Sequence, residues 1–93
     1  MRRIEIIFSQ AIEEDLVAAL KKIGEDSFYT IIPGVRGRGF SSPKMGDAVW
    51  PGSNEIMIIY CKKDAAEKIE GCVKALQKRF PDEGLALFMM KDS

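Results

Sequence analysis

Ninety-three residues, 46% hydrophobic and 30% charged, describe one globular domain spanning residues 1–93, with no room for a second core. Fourteen basic residues balance fourteen acidic ones, so no net field draws the chain to nucleic acid or to an anionic membrane surface. No apolar run approaches the roughly 18 residues of a membrane span. Histidine is absent, and the two cysteines, Cys61 and Cys72, are not spaced as a zinc site.

Met1-Arg2-Arg3-Ile4-Glu5 brings in an acid too early for a secretory leader, so the expectation is a cytoplasmic protein. In that compartment the two cysteines read as small buried residues rather than a disulfide. Arg3 to Phe8 alternates, with Ile4, Ile6 and Phe8 on one face, as in a half-buried strand. Ser9 offers an N-cap, and Glu13, Glu14 and Asp15 place negative charge where a helix dipole favours it. Ile12, Leu16, Leu20 and Ile23 then recur at helical spacing, with Lys21 and Lys22 in the last turn and Gly24 as the stop.

Phe28-Tyr29-Thr30-Ile31-Ile32 is aromatic and β-branched, which predicts a second strand. Pro33 cannot donate to a ladder, so a bulge or a sheet edge is expected there. Ile56 to Cys61 is the third strand, and its apolar residues on both faces imply that both are covered. Asp64 and Glu67 resemble a capping box at the next helix start, with Asp in place of the usual Ser or Thr. Ala66, Ile69, Val73, Leu76 and Phe80 form the buried stripe of that helix, Pro81 stops it, and Leu85 to Met90 is the last strand. The order βαββαβ predicts an α+β, ferredoxin-like fold: a four-stranded antiparallel sheet with two helices on one face. The other face carries Ile7, Ile59 or their neighbours and needs a second layer, which a partner subunit would supply.

Between strands two and three lies a connection far longer than a hairpin turn, and such loops in compact domains are functional or disordered. Its Gly37-to-Ser53 segment is glycine-rich, and Arg36, Arg38 and Lys44 make the region basic. Gly37 and Gly39 bracket Arg38: backbone free to approach a ligand, next to a planar cation suited to phosphate or carboxylate. A solvated loop collects the same residue types, so both readings stand. No Gly-Lys-Ser/Thr follows, which excludes a Walker loop. Trp50 either holds the loop down or meets a partner, with Asp47 and Lys44 beside it in the chain.

Enzymatic readings find little footing. General acid–base chemistry has no evident constellation, and Glu13, Glu14 and Asp15 read as a solvated helix face. The third strand, Ile56-Met57-Ile58-Ile59-Tyr60, lacks the paired aromatics of an RNA-reading sheet. Ser9-Gln10-Ala11 lacks the arginine that a small acylphosphatase of this topology places after its first strand.

Across nearly its whole length the chain resembles the PII nitrogen-regulatory signalling family, in a compact PII-like branch. Val35-Arg36-Gly37-Arg38-Gly39 is similar to the Val-Lys-Gly-x-Gly that leads into that family's long T-loop. Glu67-Lys68-Ile69 with Val73-Lys74-Ala75-Leu76 is similar to its second helix, and Val49-Trp50-Pro51-Gly52-Ser53-Asn54-Glu55 to PII-like members. The resemblance implies a non-enzymatic homotrimer with an adenine nucleotide, ATP or ADP, in clefts between subunits. It also implies a T-loop, here about residues 37–53, that reports to a protein partner such as a transporter or regulator. Arg36, Gly37, Arg38 and Gly39 are the implied ligand-binding residues; Lys44, Asp47 and Trp50 are the expected partner contacts. The sequence departs from the family at Phe40-Ser41 and at Pro81-Asp82-Glu83-Gly84, where acids replace a phosphate-binding lysine loop, and it ends without the family's basic C-terminal segment. An alternative reading is a small-ligand or divalent-metal-binding trimer of the same fold, linked to metal tolerance or transport, with Cys61, Met45, Met57 and carboxylates as the candidate metal ligands. A third is a scaffold without a ligand.

Overall fold

The computed structural model describes residues 1–37 and 53–91. Four strands, β1 (Arg2–Ser9), β2 (Thr30–Val35), β3 (Asn54–Cys61) and β4 (Leu85–Lys91), form one sheet in the order β2-β3-β1-β4. Every pairing is antiparallel. Helices α1 (Glu13–Lys22) and α2 (Lys63–Arg79) make the two crossovers, giving the ferredoxin-like arrangement.

Alternation decides which side chains the helices cover. Ile4, Ile6 and Phe8 of β1 lie opposite Ile59, Met57 and Glu55 of β3, and opposite Met89, Leu87 and Leu85 of β4. With Ile12, Leu16 and Leu20 from the first crossover and Ala66, Ile69, Val73 and Leu76 from α2, they close the core. Met57 is wholly enclosed there, so it is a packing residue and not a metal ligand. Ile59 also points into the core, which corrects its assignment to the opposite face. Opposite Ile4, it has the helix-facing parity, and its neighbour Ile58 takes the open side.

That open side combines Ile7 of β1 with Ile56, Ile58 and Tyr60 of β3, Ile32 of β2, and Ala86, Phe88 and Met90 of β4. Ile32, Tyr60, Phe88 and Met90 remain 43% to 58% exposed. Arg3 and Glu5 are the charges on this side of β1. They pair at 2.9 Å, and Arg3 also donates to the Tyr60 hydroxyl and lies over its ring. The basic residue on this apolar face is thus already held by partners within the chain.

The helix ends follow local chemistry, with two departures from the sequence reading. Ser9 does cap, its Oγ accepting from the Ala11 amide, but what it caps is a 3-10 turn (Gln10–Ile12) that precedes α1. The Asp64–Glu67 capping box does not form. The Lys62 carbonyl accepts from the Ala66 amide, so α2 begins at Lys63 with no side-chain cap and Asp64 lies inside its first turn. At the C-terminus of α1, Gly24 takes φ +77°, with its amide on the Lys21 carbonyl and the Glu25 amide on the Leu20 carbonyl. This pair of bonds is a Schellman motif, which needs the left-handed backbone that glycine adopts at little cost. Gly24→Ala, with open space around the added Cβ, is expected to lower unfolding free energy by about 1 kcal/mol from backbone strain alone; a urea titration would measure it. Phe28 and Tyr29 fall outside β2 and are exposed, so their β-propensity is not used by the ladder.

Candidate functional site at the base of the long loop

The long loop leaves the sheet from β2 and returns through β3, and its base is built by a bulge, two backbone hydrogen bonds and one between side chains. Val35 pairs with Asn54, while Ile32 pairs with Ile56, so Pro33 and Gly34 stand against the single residue Glu55. This is the bulge that Pro33 predicts, placed on an edge strand, with Gly34 at φ +67°. On the returning stem the Gln10 amide donates to the Ser53 carbonyl at 2.9 Å, and the Ser53 hydroxyl donates to Gln10 Oε1 at 3.0 Å. Beside them the Ser9 amide donates to the Gly84 carbonyl at 2.9 Å, tying in the turn before β4. The loop therefore emerges from a clasp that joins β1, β3 and the β4 approach.

Of the residues expected to bind a ligand, Arg36 and Gly37 lie directly beyond the Val35–Asn54 pair and are exposed. Arg38 and Gly39 lie outside the described residues, as do Lys44, Met45, Asp47 and Trp50. Pro81-Asp82-Glu83-Gly84 forms the turn into β4, where the Glu83 amide donates to the Phe80 carbonyl at 3.1 Å. Gly84 thus brings this acidic turn to the same clasp.

Two residues at the base escaped the sequence reading. Glu55 is only 4% exposed, and its Oε1 has no hydrogen-bond partner among the described residues. Glu13, at the start of α1, faces it. A hydrogen bond to Glu13, burial and the Glu13 charge, in that order, push the Glu55 carboxyl up to about 7. Glu13 is therefore engaged, and the expectation of a wholly solvated acidic face holds for Glu14 but not for its neighbours: Asp15 meets Arg79 at 3.4 Å. The available signal was parity. Glu55, Met57, Ile59 and Cys61 share one face of β3, so a carboxylate there must enter the core side.

Cys61 and Cys72 are free and partly buried, and burial raises both thiols. Among the described residues no group of three His, Cys, Asp or Glu side chains is placed to hold a metal ion. No helix among them is long and apolar enough to cross a membrane.

The family model for nitrogen regulatory protein P-II matches residues 1–90. The chain belongs to the P-II family. Solved structures agree in fold. One is CPII bound to ADP and bicarbonate, from Thiomonas intermedia, at 19% identity and TM-score 0.68, covering 96% of this chain and 82% of that one. A second structure of CPII, bound to ADP, AMP and bicarbonate, has 22% identity and TM-score 0.64 over 96% and 86%. A PII-like signaling protein from Thermus thermophilus has 22% identity and TM-score 0.64 over 96% and 83%. A comparison with curated proteins finds no match. The fold and the PII-like, regulatory class of the protein are thereby established.

Proposed function

We propose that the protein is a PII-like sensor. In this reading it forms a homotrimer, binds an adenine nucleotide between subunits beside the loop base, and acts on a protein partner through the loop. Membership of the P-II family over residues 1–90 carries the reading, and CPII, of the same fold, holds ADP in its solved structures. Two features of the molecule add support. The open sheet face, with Ile32, Phe88 and Met90 uncovered, calls for an apolar partner surface, which further copies of the chain can supply. Arg36 and Gly37 present a guanidinium and a flexible amide where the loop leaves the sheet, the donors that a phosphate needs. Lys44, Asp47 and Trp50 are the proposed partner contacts, and the loop of about residues 37–53 is the reporting segment. A single domain spanning residues 1–93 completes the proposal, and the cytoplasm is its proposed location.

Calorimetry with ADP, ATP, AMP and cyclic AMP, each with and without bicarbonate, tests the ligand. Saturable binding of an adenine nucleotide is expected. Flat isotherms with all four, together with saturable binding of a divalent metal, would replace this reading with a metal-binding one.

A further inference from the structure

The Glu13–Glu55 pair has no part in nucleotide recognition as proposed above, and it is costly as it stands. A buried carboxylate with an unpaired oxygen loses its hydration without compensation, and a second carboxylate against it adds repulsion. No donor among the described residues reaches that oxygen, so a cation between the oxygens or a proton on one of them would relieve the strain there. The donors present favour the proton. Divalent cations such as calcium gather six or more oxygens, whereas the described residues offer two carboxylates here and no third. Nor is the repulsion offset by a basic group among the described residues. β1 places Phe8 opposite Glu55, the 3-10 turn brings Gln10, and the β2 bulge brings Pro33 and Gly34, none of them charged. Glu13 of α1 is the charged group that acts on Glu55, while Arg36, exposed beyond Val35, makes no ion pair among those described.

The position of the pair gives the proton a mechanical consequence. Glu55 is the second residue of β3, next to Asn54, which closes the loop stems, and two residues from Ser53, which Gln10 clasps. Glu13 begins α1 immediately after the turn that carries Gln10. We propose that Glu13 and Glu55 form a proton-operated latch that holds the returning stem of the long loop against the start of α1. With one proton shared, the two carboxyl groups bond and the Gln10–Ser53 clasp is shut. Without it, two carboxylates face each other across the seam, and the stem is driven from the helix. This makes the loop base pH-responsive; as a control on signalling it rests on the proposed role of the loop.

The sign follows from linkage. The folded chain keeps the Glu55 proton up to about 7, while the unfolded chain releases it at the ordinary value of 4.5. The stabilisation is therefore complete below the unfolded value and is lost as pH rises through the folded one.

Nuclear magnetic resonance of the intact protein can follow the Glu55 carboxyl carbon and the protection of the Gln10 amide from about pH 5 to 8.5. The carboxyl is expected to titrate near neutrality. Above its midpoint Gln10 protection should fall by up to about tenfold per pH unit, since one proton is linked to closure. Glu55→Gln, a neutral isostere, should abolish this pH dependence and keep Gln10 protected throughout. Glu13→Gln should move the Glu55 midpoint down. A Glu55 midpoint below about 5.5, or a pH dependence that survives in Glu55→Gln, would overturn the latch. So would saturable stabilisation by calcium or magnesium that either glutamine variant removes, since that would make the pair a cation site. If no nucleotide binds at any pH, the sensor reading fails, while the carboxyl titration and Gln10 protection still decide the latch.

Discussion

Ile58→Asp and Ile59→Asp, adjacent substitutions of identical chemistry, are expected to give opposite outcomes. Ile59 is 3% exposed against the helices, opposite Ile4. An aspartate there is an unpaired buried charge and should cost about 4 kcal/mol or more, enough to unfold a domain of this size. Ile58 lies across β3 on the open face, between Thr30 and Glu5. An aspartate there should leave the monomer folded and strike only what covers that face. With a hot-spot loss of about 2 kcal/mol per interface, subunit affinity would fall about thirtyfold. Sedimentation should then show wild type near three chains and Ile58→Asp near one, with circular dichroism retained by Ile58→Asp and lost by Ile59→Asp. A wild-type chain that sediments as a stable monomer at micromolar concentration would refute the assembly.

Arg36→Ala combined with Arg38→Ala should abolish ligand binding at little cost to folding. Arg36 is exposed and makes no ion pair among those described. Substitutions at such positions usually shift stability by no more than about 0.5 kcal/mol. A charged hydrogen bond to a phosphate is worth about 1.5 to 3 kcal/mol, so losing two should weaken affinity by at least about a hundredfold. Calorimetry with ADP measures the affinity and thermal unfolding the stability. If the double variant unfolds, the arginines are structural and the ligand site lies elsewhere.

Much of the architecture is legible in the chain because its apolar residues keep time with its secondary structure. Ile4, Ile6 and Phe8 alternate with their neighbours, so β1 declares its buried face, and Leu16 and Leu20 do the same at helical spacing. β3 does not declare one. Ile56, Met57, Ile58 and Ile59 are apolar on both sides, and only the pairing of Ile59 with Ile4 settles which side meets the helices. The start of α2 was hidden for a different reason: the helix begins at Lys63, after a lysine with no capping side chain, and the residue of good capping chemistry already lies inside it. Arg36 and Gly37 stand out as candidates because loop composition marks them, and they are exposed at the loop base. Glu55 does not, because at the end of an apolar run a glutamate looks like a polar flank. Its burial depends on register, and its meaning depends on Glu13, which lies 42 positions earlier in the chain.

The bulge in β2 has a bearing on how copies of this chain can go wrong. The two outer strands of the sheet are unlike. β2 is interrupted at Pro33 and Gly34, so it cannot offer an unbroken row of backbone donors to an incoming strand. β4, Leu85-Ala86-Leu87-Phe88-Met89-Met90-Lys91, is regular along its pairing with β1 and uncharged until its last residue. Fibrils that grow by strand addition need two receptive borders on every unit, one to accept and one to offer. A molecule with one receptive border can pair back to back through it, and the pair then has nothing left to extend. Misassembly through the backbone should therefore stop at two molecules, and the proline that shapes the loop base would also act as a terminator of amyloid growth.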